Sequence, residues 1–291
     1  MNNKPTLQGN NTIFVLPMSQ KLKNAVIVHG PGRSGTTLLD NILSRHQDFY
    51  WISGYVNKYP RHPELSFLNR LTRNTKIDFK FRDNRFLPKP NEAYNFWSCY
   101  LSDFNTDNSQ PASEAEIGKC LNALKSIKQF ASGERFITKL TGAARANFID
   151  ALFEEPTIVW IDRDPQAVIM SYHKQKWFYR NREEDRLKRS NKQLIEEYSD
   201  YLENIIAQKK TLSKFQFVQL FYEDLIADQS KFFLNLCDQL GLEYNRNFEE
   251  LVNSWSIYTG ANQSYLSKLN EEEKALLKQR SESIALAMGY K

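Results

Sequence analysis

Residues 25–37 read Ala-Val-Ile-Val-His-Gly-Pro-Gly-Arg-Ser-Gly-Thr-Thr, an apolar strand that runs into a glycine-rich turn and then into a helix carrying Leu38, Leu39, Ile42 and Leu43. Gly30, Gly32 and Gly35 let the backbone turn with no Cβ in the way, so successive N–H groups and the helix N-terminus can converge on one anion. The turn is a phosphate cradle. It departs in one place from the phosphate loop of nucleotide hydrolases, G-x-x-x-x-G-K-[ST]: Gly30 and Gly35 keep the spacing, but the lysine position holds Thr36 and the cation has moved to Arg33. Such a loop suits a ligand with a different second group on its 5′-phosphate.

Apolar or β-branched runs at 25–28, 49–52, 136–138, 158–161 and 215–220 have the length of buried parallel strands. Helical patterns separate them at 34–45, 141–153 and 187–213, the last with Leu187, Leu194, Ile195, Tyr198, Leu202 and Ile205 on one side. This alternation predicts an α/β fold, a parallel sheet of about five strands flanked by helices with the ligand at the strands' carboxyl ends. Residues 1–20 read as a loose N-terminal arm and 21–291 as a single domain. Within it, 57–134 has no clean strand and includes Pro60, Pro63, Pro88, Pro90 and Pro111. We expect an acceptor-site insertion there, with Tyr94, Phe96, Trp97 and Tyr100 either lining a pocket or filling core.

Composition adds limits. The 291 residues are 41% hydrophobic and 25% charged, as in a globular chain of one sizeable core or two small ones, and the net charge of +5 fits a small anionic ligand as well as it fits weak nucleic-acid affinity. Three cysteines, Cys99, Cys120 and Cys237, cannot all pair and show no metal-ligand spacing. With no run of roughly 18 apolar residues, the expectation is a reduced, cytoplasmic protein without a transmembrane segment.

Two further segments join the cradle. Thr157–Ser171 reads T-I-V-W-I-D-R-D-P-Q-A-V-I-M-S, and Phe221–Leu225 reads F-Y-E-D-L ahead of an amphipathic helix ending at Leu240-Gly241-Leu242; the chain ends near Gly289-Tyr290. With Gly-x-Gly-Arg-Ser-Gly-Thr-Thr-Leu-Leu after the first strand, this ordered set resembles the sulfotransferases that use 3′-phosphoadenosine 5′-phosphosulfate (PAPS), in the arginine form of bacterial and tyrosylprotein members. The resemblance covers most of the chain from residue 25 onward. It implies a P-loop nucleotide-kinase-like fold and transfer of a sulfuryl group to a hydroxyl or amine of a carbohydrate, lipid or small metabolite. Adenosine 3′,5′-bisphosphate would be released, with neither metal nor nucleic acid involved. It also implies that Gly32, Arg33, Ser34, Gly35, Thr36 and Thr37 bind the 5′-phosphosulfate, Arg163 and Ser171 the 3′-phosphate, and Tyr222 the adenine.

The residues admit other readings beside these. Arg33 can neutralise charge on a leaving oxygen or cap a surface turn, and Ser34 to Thr37 can donate to a ligand or form an N-cap box. Tyr222 can face a ligand or pack at a strand end, while Glu223 and Asp224 suit capping of the helix from Leu225. Asp162, after an apolar strand, matches the aspartate that helps hold Mg²⁺ in nucleotide hydrolases, which keeps a Mg-dependent P-loop kinase or NTPase as an alternative. The general base is harder to find. Cytosolic relatives place a histidine two residues after a lysine on the third strand, but Lys139 is followed by Leu140 and Thr141; tyrosylprotein relatives place a glutamate after the second strand, where this chain has Ser53, Gly54 and Tyr55. That gap also keeps open a non-catalytic nucleotide-binding module. His62 and Glu64 in the insertion are the candidate bases, with Lys139 at the sulfonate or acceptor; His29 could reach the site from the strand end, and His46 reads as structural.

Overall fold

The computed structural model describes residues 21–73, 86–104, 112–172, 175, 188–257 and 266–290. The expected arm at 1–20 lies outside them. From the cradle strand β1 (Val26–Gly30) the chain enters helix α1 (Thr36–Leu43), edge strand β2 (Phe49–Tyr50) and the short helix α2 (Gly54–Lys58). A 3₁₀ helix at Pro63–Arg73 and helices α3 (Tyr94–Tyr100) and α4 (Glu114–Phe130) follow. Then come β3 (Arg135–Thr141), α5 (Ala146–Leu152), β4 (Thr157–Asp162), α6 (Pro165–Tyr172) and α7 (Asn191–Gln208). The chain closes with β5 (Gln216–Phe221), α8 (Tyr222–Ala227), α9 (Gln229–Leu240), α10 (Arg246–Asn253) and α11 (Glu271–Met288).

The five strands form one parallel sheet in the order β2-β3-β1-β4-β5. The first strand therefore sits in the middle; the chain leaves β1 for β2 on one side and leaves its neighbour β3 for β4 on the other, and these opposite departures from adjacent strands open a crevice at their carboxyl ends. Leu22–Lys23 and Phe153–Glu154 add a separate parallel pair.

Strand alternation decides what faces what. Val26, Val28, Ile137, Val159 and Ile161 point to the face covered by α1 and α9, with Leu39, Ile42, Phe233 and Leu236. Ile27, Leu140, Ile158 and Trp160 point the other way, toward α6, α7 and α11. The register pairs Val28 with Lys139 and Gly30 with Thr141, so the second half of β3 delivers Lys139 and Thr141 to the α1 side of the crevice.

The predicted strands are all present, with β3 extended to Thr141 and β2 shortened to two residues. The long helix begins at Asn191, where Ser190 and Gln193 form a reciprocal capping box that stops it from starting earlier; Leu187 lies outside the described residues. Helices occupy the described part of 57–134. There Phe96 and Trp97 are core residues, and Tyr94 and Tyr100 pack against that core. Cys99, Cys120 and Cys237 are free thiols. Among the described residues no helix is long and apolar enough to cross a membrane.

Candidate active site

The cradle is shaped by two glycines that cannot be replaced without moving its neighbours. Gly30 has φ +145°, and a Cβ there would meet the Ile161 carbonyl oxygen at 2.5 Å; Gly35 has φ +100°, and its Cβ would lie 2.6 Å from Tyr222 Cδ2. Arg33 between them also adopts a left-handed φ of 73°, a strained conformation for a residue with a Cβ, and its side chain is exposed. Ser34 is not a helix cap: its hydroxyl donates to the Pro31 carbonyl at 2.7 Å and closes the loop from within. The N-cap of α1 is Gly35, without a side-chain cap bond, and the first turn carries no acidic residue. The orphan N–H groups of that turn thus keep their positive end for a ligand, the donor set a phosphate or sulfate requires.

Alternation along β4 carries Arg163 to the same side. Its Nη1 donates to the Arg33 carbonyl at 3.0 Å, and its guanidinium lies 4.6 Å from the centre of the Tyr222 ring. Arg33 Nε in turn donates to Ser171 Oγ at 3.0 Å, across 138 positions of sequence. Burial lowers the pKa of the Arg163 guanidinium, with Arg33 acting in the same direction. Gly35, Arg33, Arg163, Ser171 and Tyr222 therefore form one connected, positively charged surface. Glu223 does not cap α8 as its position suggested. One of its oxygens accepts from the Asp164 backbone N–H at 3.0 Å and the other from Tyr290 Oη at 2.7 Å, tying the turn after β4 to the chain's tail.

On the opposite flank Lys139 is nearly buried, with 6% of its side chain exposed. Its ammonium donates to Thr37 Oγ1 at 2.8 Å and lies 3.2 Å from Glu92 Oε1. Thr141 Oγ1 donates to the same Glu92 oxygen at 2.8 Å. Asp40, one turn into α1, completes this corner: burial raises its carboxyl to about 6 although Lys139 pulls it down. Nothing in the local sequence around Glu92 marks it as part of the site. Only the pairing of its segment with the end of β2 brings it there, through Asn91 N–H to the Ile52 carbonyl and Gly54 N–H to the Lys89 carbonyl.

The other candidates have partners of their own. His62 Nδ1 and Glu64 Oε1 pair at 2.8 Å with 60% and 49% of their side chains exposed, turned to each other on the surface. His29 is fully buried on the far face, stacked on Trp160 at 5.0 Å, and burial lowers its pKa to about 3. It is a core residue of the sheet. His46, as read, is structural, with Nε2 at 2.9 Å from the Glu243 carbonyl. Asp162 shares the far face: Trp160 Nε1 donates to one oxygen, and Lys209 and Gln219 donate to the other. A carboxylate so engaged, and on the side of β4 away from α1, is not disposed to hold a metal over the cradle.

A five-stranded parallel sheet with a glycine cradle after its first, central strand defines the P-loop nucleotide-kinase-like class of α/β proteins. The more particular assignment comes from sequence: the model of the Sulfotransferase family matches residues 25–246, and the chain belongs to that family. Sulfotransferase STF9 from Mycobacterium avium aligns with a TM-score of 0.60 at 13% identity, covering 94% of this chain and 78% of that one. Sulfotransferase STF1 from Mycobacterium tuberculosis gives 0.51 at 17% identity, covering 90% and 77%. Both show a shared fold. No curated protein matches the chain.

Proposed function

We propose that this sulfotransferase uses PAPS and transfers its sulfuryl group to a hydroxyl or amine. The observation that carries the reading is the link from Arg33 to Ser171 together with Arg163 on the Arg33 carbonyl, which joins the cradle to a second anion-binding corner. A nucleotide with phosphates at both its 5′ and 3′ positions matches two such corners; a triphosphate with a bare ribose uses one. In this reading the N–H groups of residues 32–37 hold the 5′-phosphosulfate, Arg163 and Ser171 hold the 3′-phosphate, and Tyr222 lies along the adenine. The cradle suits such a donor because the first turn of α1 carries no side-chain cap bond and no acidic residue, so its N–H groups keep their positive end for an anion.

The sulfuryl group itself needs little covalent help, so this chain's work is alignment and charge neutralisation. As the acceptor oxygen or nitrogen bonds to sulfur, the bridging oxygen of the phosphosulfate takes the electron pair of the breaking S–O bond. Arg33 and Lys139 flank the cradle and would balance the charge that collects there. Calorimetry tests the reading: Arg163→Ala and Ser171→Ala should weaken binding of adenosine 3′,5′-bisphosphate while leaving that of adenosine 5′-phosphosulfate, which lacks the 3′-phosphate, nearly unchanged. Equal loss for both ligands would count against it.

A further inference from the structure

We propose that Glu92 is the base that takes the acceptor's proton, a role that rests on the sulfuryl-transfer reading above and for which Ser53, Gly54 and Tyr55, directly after the second strand, offer no carboxylate. Glu92 is held at the cradle from three directions. Its Oε1 accepts from Thr141 Oγ1 and pairs with the Lys139 ammonium, which itself reaches Thr37 on the first turn of α1. Its main-chain carbonyl accepts from Trp97 Nε1 at 3.1 Å. The next residue, Ala93, is fully buried in a left-handed conformation with φ 58°, its N–H held by Asn91 Oδ1 at 2.9 Å.

The corner is thus overdetermined at one strained backbone position, a cost commonly kept where a side chain must be aimed. A counter-ion for buried Lys139 explains one carboxylate oxygen. It does not explain the other: Oε2 has no hydrogen-bond partner among the described residues, and 29% of the Glu92 side chain is exposed while Lys139 beneath it is covered. One oxygen is anchored, and the other is left unbonded on a side chain that solvent reaches. Among the described residues Lys139 from β3 pairs with this carboxylate and Asp40 from α1 feels its charge, while Arg145 donates to the main-chain carbonyl of the carboxylate's partner Thr141 at 3.1 Å.

In the step assigned to it, Glu92 Oε2 accepts the proton of the acceptor O–H or N–H as that atom bonds to sulfur. The S–O bond to the phosphate breaks, and its electron pair stays on the bridging oxygen beside Lys139. The protonated carboxyl then returns its proton to solvent. Atoms and charge balance with the acceptor and PAPS as the two reactants.

The test is Glu92→Gln, whose amide oxygen keeps an acceptor for Lys139 and Thr141 but takes no proton. Its melting temperature and its affinity for adenosine 3′,5′-bisphosphate are measured first, and both should match the parent protein within about twofold in affinity. PAPS-dependent transfer is then compared for 4-nitrophenol, phenol and benzyl alcohol, probes of falling acidity. With the assay run about one pH unit above neutral, transfer to phenol and benzyl alcohol should drop by about 100-fold or more, the usual scale for losing a general base, whereas 4-nitrophenol, largely ionised there, should lose less than about fivefold. Uniform loss across the three probes, or no loss on any, overturns the proposal. If the parent protein does not bind the bisphosphate, the proposed function itself fails, before any substitution is made.

Discussion

The cradle corner from Gly30 to Thr37 is made by neighbours in sequence, while the Glu92 corner is made by contacts such as that to Thr141, 49 positions away. In the first, two glycines and a left-handed arginine fix the path of eight consecutive residues by stereochemistry. In the second, the placement of one carboxylate depends on how residues 89–91 register against the end of β2. The difference implies that the donor-binding half is stiff and tolerant of change elsewhere, whereas the acceptor half is only as well placed as that pairing.

The largest expected effect concerns the sheet beneath both halves. His29 is neutral when folded with a pKa near 3, against 6.5 for the unfolded chain, so below pH 6.5 the unfolded state binds the extra proton and stability falls as pH drops toward about 3. The full effect is on the order of 5 kcal/mol. Asp40 acts in the opposite sense, holding its proton up to about pH 6. His29→Phe keeps a ring on Trp160 and should flatten the acid side of the stability curve, even though Gly30 N–H loses its acceptor; denaturant melts between pH 7 and 4 measure it. An unchanged slope would detach the cradle from this buried support.

Next come the two arginines. Arg33→Ala should lower turnover by roughly two to three orders of magnitude with a smaller change in bisphosphate affinity, since its charge matters most as the leaving oxygen becomes negative. Arg163→Ala should do the reverse, weakening bisphosphate binding by about 1.5–3 kcal/mol, the scale of a charge-assisted hydrogen bond. Steady-state rates and calorimetry on the same preparations separate them, and matching losses in both quantities for both variants would erase the division. The smallest effect sharpens the contrast between the halves: His62→Ala and Glu64→Gln remove an exposed pair whose hydrogen bond is to each other, and should change turnover by less than about twofold and stability by little.

What could be read from sequence follows the same boundary. All five strands, the cradle and the Arg163–Ser171 helix turn were legible, because each depends on local periodicity, glycine or a strand-to-helix step a few residues long. Tyr222 was placed by its position at the end of β5, and the structure packs it against Gly35. Glu92 was not legible: it sits among Lys89-Pro90-Asn91 and Ala93 with no periodic pattern, and its relation to Lys139 exists only once β3 and the 89–93 segment share a crevice. The candidacy of His62 and Glu64 rested on their place in the insertion, which says little about where a side chain points. Asp162 is a similar case, since its residue type matched a metal ligand but the two-residue period of β4 sends it to the opposite face, against Lys209.

The most direct measurement is a calorimetric titration of the protein with adenosine 3′,5′-bisphosphate in the presence of a chelator, beside ATP with Mg²⁺. The bisphosphate should bind without metal and, at about 100 times its dissociation constant, add about 2.7 kcal/mol of stability, while ATP with Mg²⁺ binds much more weakly. Binding of ATP that requires Mg²⁺, with none of the bisphosphate, would contradict the PAPS reading.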